Sequence, residues 1–334
     1  MAENYLTGDF YMDKNIVLCF DNNFLKPVRV LLFSLFTTNS NDKYNIHIVS
    51  PDLDAENKEI LKADFKDTGY SIFFYQIDDK ILSSVPVRAG DYINISTYYR
   101  ILLPAILPET VDTVLYLDGD MLIVNSISEL WNIDLTDKSA AVVPDIHYEN
   151  ENEFKRLGLK KNFGYFNAGF MLINLKYWRE HDIQTKTLDY IFNNSDRCMK
   201  HDQDALNYTL SDSLIYISTK YNYQRIMYER DFNYPKMIEA DLKDSAMEPC
   251  IIHYCDREKP WHKECIHPLK LVWIQAAKKL YGTRMKLSHK YTGMMKLKFI
   301  IRGFLSQLKI VKPFAVDYTI NFSELNVKFC SRFE

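Results

Sequence analysis

The first 118 residues alternate two kinds of segment, and that alternation constrains the fold more than any other feature. "NIVLCF" (15–20), "YNIHIVS" (44–50), "YSIFFYQI" (70–77) and "DTVLYLD" (112–118) are apolar runs of strand length. Between them lie longer amphipathic stretches. "KPVRVLLFSLFTT" (26–38) carries Pro27 where a helix tolerates it, in the first turn. "DAENKEILKADFK" (54–66) opens on Asp54, a good N-cap. "STYYRILLPAIL" (96–107) reads as a helix capped by Ser96 and ended near Pro108. Strands alternating with helices predict βαβ units, hence an α/β fold with a mostly parallel central sheet. Such sheets bind ligands beyond the carboxyl ends of their strands. Asp21, Asn22 and Asn23 after the first strand, and Asp118 to Asp120 after the fourth, are therefore expected along one edge. The chain lacks both GxGxxG and GxxxxGK[ST], which argues against a nicotinamide enzyme or a P-loop NTPase.

"VLYLDGDMLIV" (114–124) sets two carboxylates around one glycine inside an apolar run. They repel each other unless something positive sits between them; the plain alternative is a polar turn at a strand end. Three further stretches stand out. In "GYFNAGFMLINLKYW" (164–178) a small Asn167-Ala168-Gly169 turn precedes an apolar strand. In "HDQDALN" (201–207) acid and amide side chains open a helix, where they also suit the helix dipole. In "IIHYCDREKPWH" (251–262) His253 ends an apolar run ahead of Lys259-Pro260-Trp261. Two carboxylates and a neutral imidazole suit Mn²⁺ or Mg²⁺ better than a structural Zn²⁺. Such an ion leaves positions open for phosphate oxygens, and a nearby lysine fits a nucleoside diphosphate. A zinc module competes, because Cys250, His253, Cys255, His262, Cys265 and His267 fall within 18 residues. Their C-x4-C and H-x4-H spacings are not those of zinc knuckles.

At 47% hydrophobic and 25% charged residues, the 334-residue chain has ordinary globular composition, with 23 Tyr and 20 Phe for aromatic packing or sugar stacking. Six irregularly spaced cysteines suggest reduced thiols. The opening "MAENYLTGDFYMDKN" shows no basic-then-apolar secretory signal, and no run reaches the length of a membrane span. A cytoplasmic protein is expected.

Together the four stretches resemble glycosyltransferase family 8, and within it the bacterial lipopolysaccharide and lipooligosaccharide α-galactosyl- and glucosyltransferases; glycogenin is a more distant relative. The match runs from about Ile16 to Trp273, and "YFNAGFMLINLKYWREHDI" and "HYCDREKPWHKEC" are its most specific parts. The resemblance implies a GT-A (Rossmann-like) fold and retaining transfer of galactose or glucose from a UDP-sugar with Mn²⁺. The acceptor would be a saccharide or glycolipid, lipopolysaccharide core or another cell-surface glycan, and no nucleic acid partner is expected. Carried over by position, Cys19, Asp21 and Asn23 would line the uridine pocket and Arg100 would reach the donor. Asp118, Asp120 and His253 would bind the metal, with Asp118 also near the ribose. Asn167, Ala168, Gly169 and Asp202 would contact the donor sugar, Gln203 would lie beneath its anomeric carbon, and Lys259 would bind the diphosphate. Gln203 and Asp202 are the catalytic candidates. Gln203 is a poor nucleophile, which favours front-face attack over double displacement; Asp202 or Asp204 is chemically better. Asp256 occupies the position of a glycine in the family's HxxGxxKPW pattern, and Tyr92 and Asn94 differ from relatives near the expected acceptor. Asp256 favours the alternative of a sugar-nucleotide-binding protein on a degenerate scaffold, and is expected to point outward.

Net charge is −3, but unevenly spread: residues 284–334 hold ten Lys or Arg against three acids, a net +7, leaving −10 on the first 283. Met294, Leu297, Ile301, Phe304, Leu305 and Leu308 form a stripe at helical spacing, flanked by Lys298, Arg302 and Lys309. The reading is a catalytic domain, 1–283, and a basic amphipathic tail, 284–334, that attaches it to the inner face of the cytoplasmic membrane. A helix packed on the main domain is the alternative.

Overall fold

A computed structural model describes residues 14–77, 95–159, 163–230, 232–283, 286–308, 320 and 322–334. Tyr92, Asn94 and Lys309 lie outside the described residues, as does the side chain of Ser96. The expected alternation is present: β1 (Asn15–Cys19), α1 (Leu25–Thr38), β2 (Asn45–Ser50), α2 (Ala55–Phe65) and β3 (Ser71–Gln76). Asp54 caps α2, accepting from the Asn57 N–H at 2.8 Å. The 96–107 segment departs from expectation. It is a 3-10 helix over Ile95–Leu102 that becomes α-helical only in α3 (Leu103–Ile106). β-branched and aromatic residues favour α-helix weakly, and Pro104 offers no N–H to the Arg100 carbonyl.

β4 (Thr113–Leu117) and β5 (Met121–Ile123) flank the paired aspartates; β6 (Ala140–Pro144), α4 (Glu151–Leu157) and the nine-residue β7 (Phe166–Asn174) follow. Next come α5 (Leu175–Glu180), α6 (Ile183–Asn193), α7 (Asp202–Leu210), β8 (Leu214–Tyr216), β9 (Tyr223–Gln224), α8 (Lys236–Met247) and β10 (Ile251–His253). The main sheet has the order β3-β2-β1-β4-β7-β6-β8. All strands run one way except β7, which is antiparallel to both neighbours. Asn167-Ala168-Gly169 is therefore not a turn before a strand. It is the beginning of β7, and reversal of that strand lays it beside the carboxyl end of β4, where Phe170 is registered with Leu117.

Helices cover both faces. Val28, Leu31, Leu32 and Leu35 of α1 pack with Ile16, Leu18, Ile46 and Ile48 on one side. Val17, Val49 and Tyr116 meet Tyr98, Tyr99 and Leu206 on the other. A small second sheet, β5-β10-β9, builds a third apolar cluster with α9 (Lys270–Tyr281).

The basic C-terminal segment does not behave as one unit. After α10 (Gly293–Gln307) the chain returns in α11 (Phe322–Cys330), and Leu325, Phe329 and Phe333 are buried in the third cluster with Trp273. α11 packs along α9, and Phe333 just beyond it reaches Phe33 of α1. α10 instead leaves Met294, Ile300 and Phe304 more than half exposed. Among the described residues no helix is long and apolar enough to cross a membrane.

Candidate active site

Asp118 and Asp120 occupy the tight turn between β4 and β5. Gly119 between them has no room for a side chain: a Cβ there would stand 2.8 Å from Val28 and 2.9 Å from Phe24. β10 pairs antiparallel with β5 and sets His253 opposite Met121. The Tyr254 N–H donates to the Asp120 carbonyl at 3.1 Å. The imidazole thereby arrives beside the carboxylates, with Nε2 3.2 Å from Asp120 Oδ1 and 3.8 Å from Asp118 Oδ2. One ligand atom from each of the three residues lies within 4.8 Å of the others.

The ring's proton can be assigned from its other side. Asn222 Nδ2 donates to Asn167 Oδ1 at 3.0 Å, which turns Asn222 Oδ1 toward His253 Nδ1 at 2.8 Å. An amide oxygen only accepts, so the imidazole carries its proton on Nδ1. Nε2 faces the two carboxylate oxygens and, in the neutral ring, offers its lone pair to an ion held between them. Asp120 Oδ1 is buried without a hydrogen-bond partner among the described residues. Three converging acceptors around a buried orphan oxygen fit a divalent cation. Gly169 keeps the space open, since a Cβ there would fall 2.5 Å from His253 Cε1 and 2.8 Å from Asp118 Oδ2.

Two cations brace the cluster. The buried Lys259 ammonium donates to Asp120 Oδ2 at 2.6 Å and to the Tyr254 carbonyl at 2.9 Å. Burial alone would raise the Asp120 carboxyl, but Lys259 beside it holds it below the usual carboxylate range. Arg100 lines the cavity, yet its guanidinium is engaged within the protein. It meets Asp118 at 3.1 Å, Asp202 at 3.0 Å and the Thr97 carbonyl at 2.8 Å, donates to the Ala168 carbonyl, and lies over the Tyr116 ring. Burial pushes Asp202 up to about 6 against the pull of Arg100.

Gln203, in the first turn of α7, ties that helix to β7. Its Oε1 accepts from the Ala168 N–H at 3.1 Å and from Asn167 Nδ2 at 3.3 Å, while Nε2 donates to the Tyr165 hydroxyl at 3.2 Å. His201, just before α7, holds φ +54°, a conformation that histidine rarely adopts and that costs on the order of 1–3 kcal/mol. Strain of that kind concentrates at functional sites.

Cys19, Asp21, Arg100, Asp118, Asp120, Asn167, Ala168, Gly169, Asp202, Gln203, His253 and Lys259 all line one cavity of about 660 Å³. Burial raises the Cys19 thiol far above its ordinary value, so it contributes to the wall as a neutral group. Asn23 is exposed and not part of the cavity wall. Asp256 is also absent from that wall; its carboxylate pairs with Arg225, which also reaches Glu229. The feature that favoured a binding-only protein therefore points away from the cavity. The residues of the zinc alternative are dispersed: His262 Nδ1 accepts from the Lys259 N–H and His267 Nδ1 from the Leu269 N–H.

A family model described as glycosyl transferase family 8 matches residues 15–265. The chain belongs to glycosyltransferase family 8. It is 32% identical over 256 residues to a putative glycosyltransferase of Haemophilus influenzae, covering 76% of this chain and 74% of that one. It is 30% identical over 275 residues to a lipopolysaccharide 1,3-galactosyltransferase of Salmonella typhimurium, with 78% and 77% covered. Among solved structures, the galactosyltransferase LgtC in complex with donor and acceptor sugar analogues superimposes with a TM-score of 0.71 at 27% identity, covering 79% of this chain and 95% of that one. The architecture is thus the GT-A fold of a family 8 glycosyltransferase, and the Asp118–Asp120–His253 cluster is its candidate divalent-metal site. Sequence reasoning missed Asn222, which aims His253, and Tyr116, whose hydroxyl donates to Asp118 at 2.7 Å. It also missed Arg257, an exposed cation on the cavity wall. Proximity to Lys259 was the signal that could have marked Arg257; nothing in the sequence marks Asn222.

Proposed function

We propose that this family 8 glycosyltransferase moves a hexose, galactose or glucose, from a UDP-sugar to a saccharide acceptor with retention, using Mn²⁺, with Mg²⁺ as the alternative ion. The observation that carries this reading is the convergence of Asp118, Asp120 and His253, with Lys259 alongside, in a cavity sized for a nucleotide sugar. Similarity to a lipopolysaccharide 1,3-galactosyltransferase and to a lipopolysaccharide 1,2-glucosyltransferase of Escherichia coli (28% identical) supports a hexose and a lipopolysaccharide-core or other cell-surface glycan acceptor.

Cys19 and Asp21 would flank the uridine, and Asn167, Ala168, Gly169 and Asp202 the donor sugar. A divalent ion held by Asp118, Asp120 and His253 would supply charge neutralisation at the diphosphate. Lys259 adds fixed positive charge where the leaving group becomes more negative, the place where preorganised electrostatics help most. The bond between C1 and the UDP oxygen breaks toward an oxocarbenium-like state. The acceptor oxygen bonds C1 from the same face, and its proton passes to the departing phosphate. Gln203 would lie beneath C1, its carboxamide fixed by Ala168, Asn167 and Tyr165. Asp202 is ion-paired to Arg100, which also meets Asp118.

α10 extends the proposal to the membrane. Met294, Met295, Leu297, Ile300, Ile301, Phe304 and Leu308 are exposed, and from Lys286 to Leu308 there are five Lys or Arg and no acid. Such a face suits an anionic lipid surface, where each cation contributes about 1 kcal/mol. Peripheral attachment on the cytoplasmic side would bring the cavity to a glycolipid acceptor. The deciding experiment incubates a panel of UDP-sugars with the enzyme and Mn²⁺, and scores hydrolysis without acceptor. One UDP-hexose should be cleaved, and cleavage should stop in excess EDTA. Full turnover in EDTA would sink the metal-dependent reading.

A further inference from the structure

A second cavity, of about 510 Å³, opens at the end of α7 away from Gln203, between α6, the end of α4 and the turn after α7. Tyr208 provides it with an aromatic platform: the residue is 41% exposed, and its ring stacks on Tyr190 with centroids 3.9 Å apart and planes 20° from parallel. Tyr190 is itself anchored, its hydroxyl donating to the Leu157 carbonyl at 2.8 Å. The carboxylates of Asp189 and Asp212 line the cavity without an ion pair among the described residues, and Thr209 Oγ1 is buried with no hydrogen-bond partner.

A rigid aromatic surface and carboxylate acceptors suit a ligand with one apolar face and a rim of hydroxyl groups. That is the chemistry of a sugar ring. Asp189 and Asp212 are balanced by Lys186 on the wall and by Arg197, whose guanidinium stands 3.7 Å from a Cβ placed on Gly158, so the site has no excess positive charge to draw phosphorylated or uronic sugars. We propose that this cavity binds a neutral saccharide, a stretch of acceptor or product glycan held apart from the point of transfer. The same helix carries Asp202 and Gln203 at one end and Tyr208 at the other, roughly 9 Å along its axis. The two sites are therefore joined by one rigid element. The proposal rests on the reading of the chain as a glycan-extending enzyme, but is tested apart from it.

The full-length protein would be titrated with maltotetraose and lacto-N-neotetraose, followed by saturation-transfer NMR and calorimetry, and UDP-sugar hydrolysis measured alongside. At least one probe should bind. Tyr208→Ala and Asp189→Asn should each weaken it about tenfold and leave hydrolysis unchanged. Asp189→Asn, at a surface position, guards against misfolding of the tyrosine variant. Binding that neither variant alters, binding of neither probe at millimolar concentration, or preference for a phosphorylated tetrasaccharide would each overturn the proposal. Absence of UDP-sugar hydrolysis in the unmodified protein would count against the transferase reading alone, because the saccharide titration reads the second cavity directly.

Discussion

Asn222 illustrates how a single amide sets the chemistry of its neighbours. It holds the His253 proton on Nδ1 and turns Nε2 toward the carboxylates. Outer partners of ligating histidines typically account for 10–100-fold in metal affinity. Asn222→Leu should therefore weaken Mn²⁺ binding by about that factor, read by calorimetry with UDP present; unchanged affinity would mean the tautomer is set elsewhere. Gln203 is braced by three neighbours rather than aimed as a nucleophile. Gln203→Ala should slow transfer by a few kcal/mol in barrier with retention intact, checked by NMR of the product anomer. An inverted product would contradict the mechanism. Asp256 pairs with Arg225 in a partly exposed setting, and such pairs contribute about 0–1 kcal/mol. Asp256→Gly should lower the melting temperature only slightly and leave UDP affinity unchanged or improved. A clear loss of UDP affinity would place that side chain in the donor site.

At the scale of elements, the two C-terminal helices have opposite fates although both are amphipathic. α11 buries Leu325 and Phe329 against the body, whereas α10 keeps its apolar residues at the surface. Removing residues 284–334 would thus strip core as well as tail. The cleaner test is Ile300→Glu with Phe304→Glu, two exposed positions. The double variant should lose binding to liposomes containing phosphatidylglycerol, keep its melting temperature, and retain UDP-sugar hydrolysis. Undiminished liposome binding would remove α10 as the attachment element. Reversal of β7 is the other element-scale decision. By running against its neighbours it carries Gly169 to Asp118, and the Asp118 N–H donates to the Gly169 carbonyl at 2.8 Å.

For the whole molecule, two buried histidines weaken the fold in acid. Burial lowers both His47 and His267 from 6.5 to about 3. Between those values the unfolded chain binds protons that the folded chain does not, so stability is fully present above pH 6.5 and falls as pH drops toward 3. Thermal melts from pH 7.5 to 4 should show that decline, and His47→Gln should flatten it; an identical slope in the variant would refute the assignment. How much of this protein is legible in its sequence follows a similar division between local and distant causes. The periodicity of residues 15–118 determined an α/β sheet, and Asp54 its cap, because strand and helix periods and capping bonds are local. Asp118, Asp120, His253 and Lys259 were legible as candidates because they stand in ordered motifs, and β-pairing brings Asp118, Asp120 and His253 together. The sequence could not tell that Asn167 to Gly169 begin a strand, that Arg100 turns inward between two aspartates, that Asn222 aims the histidine, or that α11 docks while α10 does not. Each of those depends on contacts between residues tens to hundreds of positions apart. Register, burial and electrostatic partners come into being only when the sheets and helices close around one another.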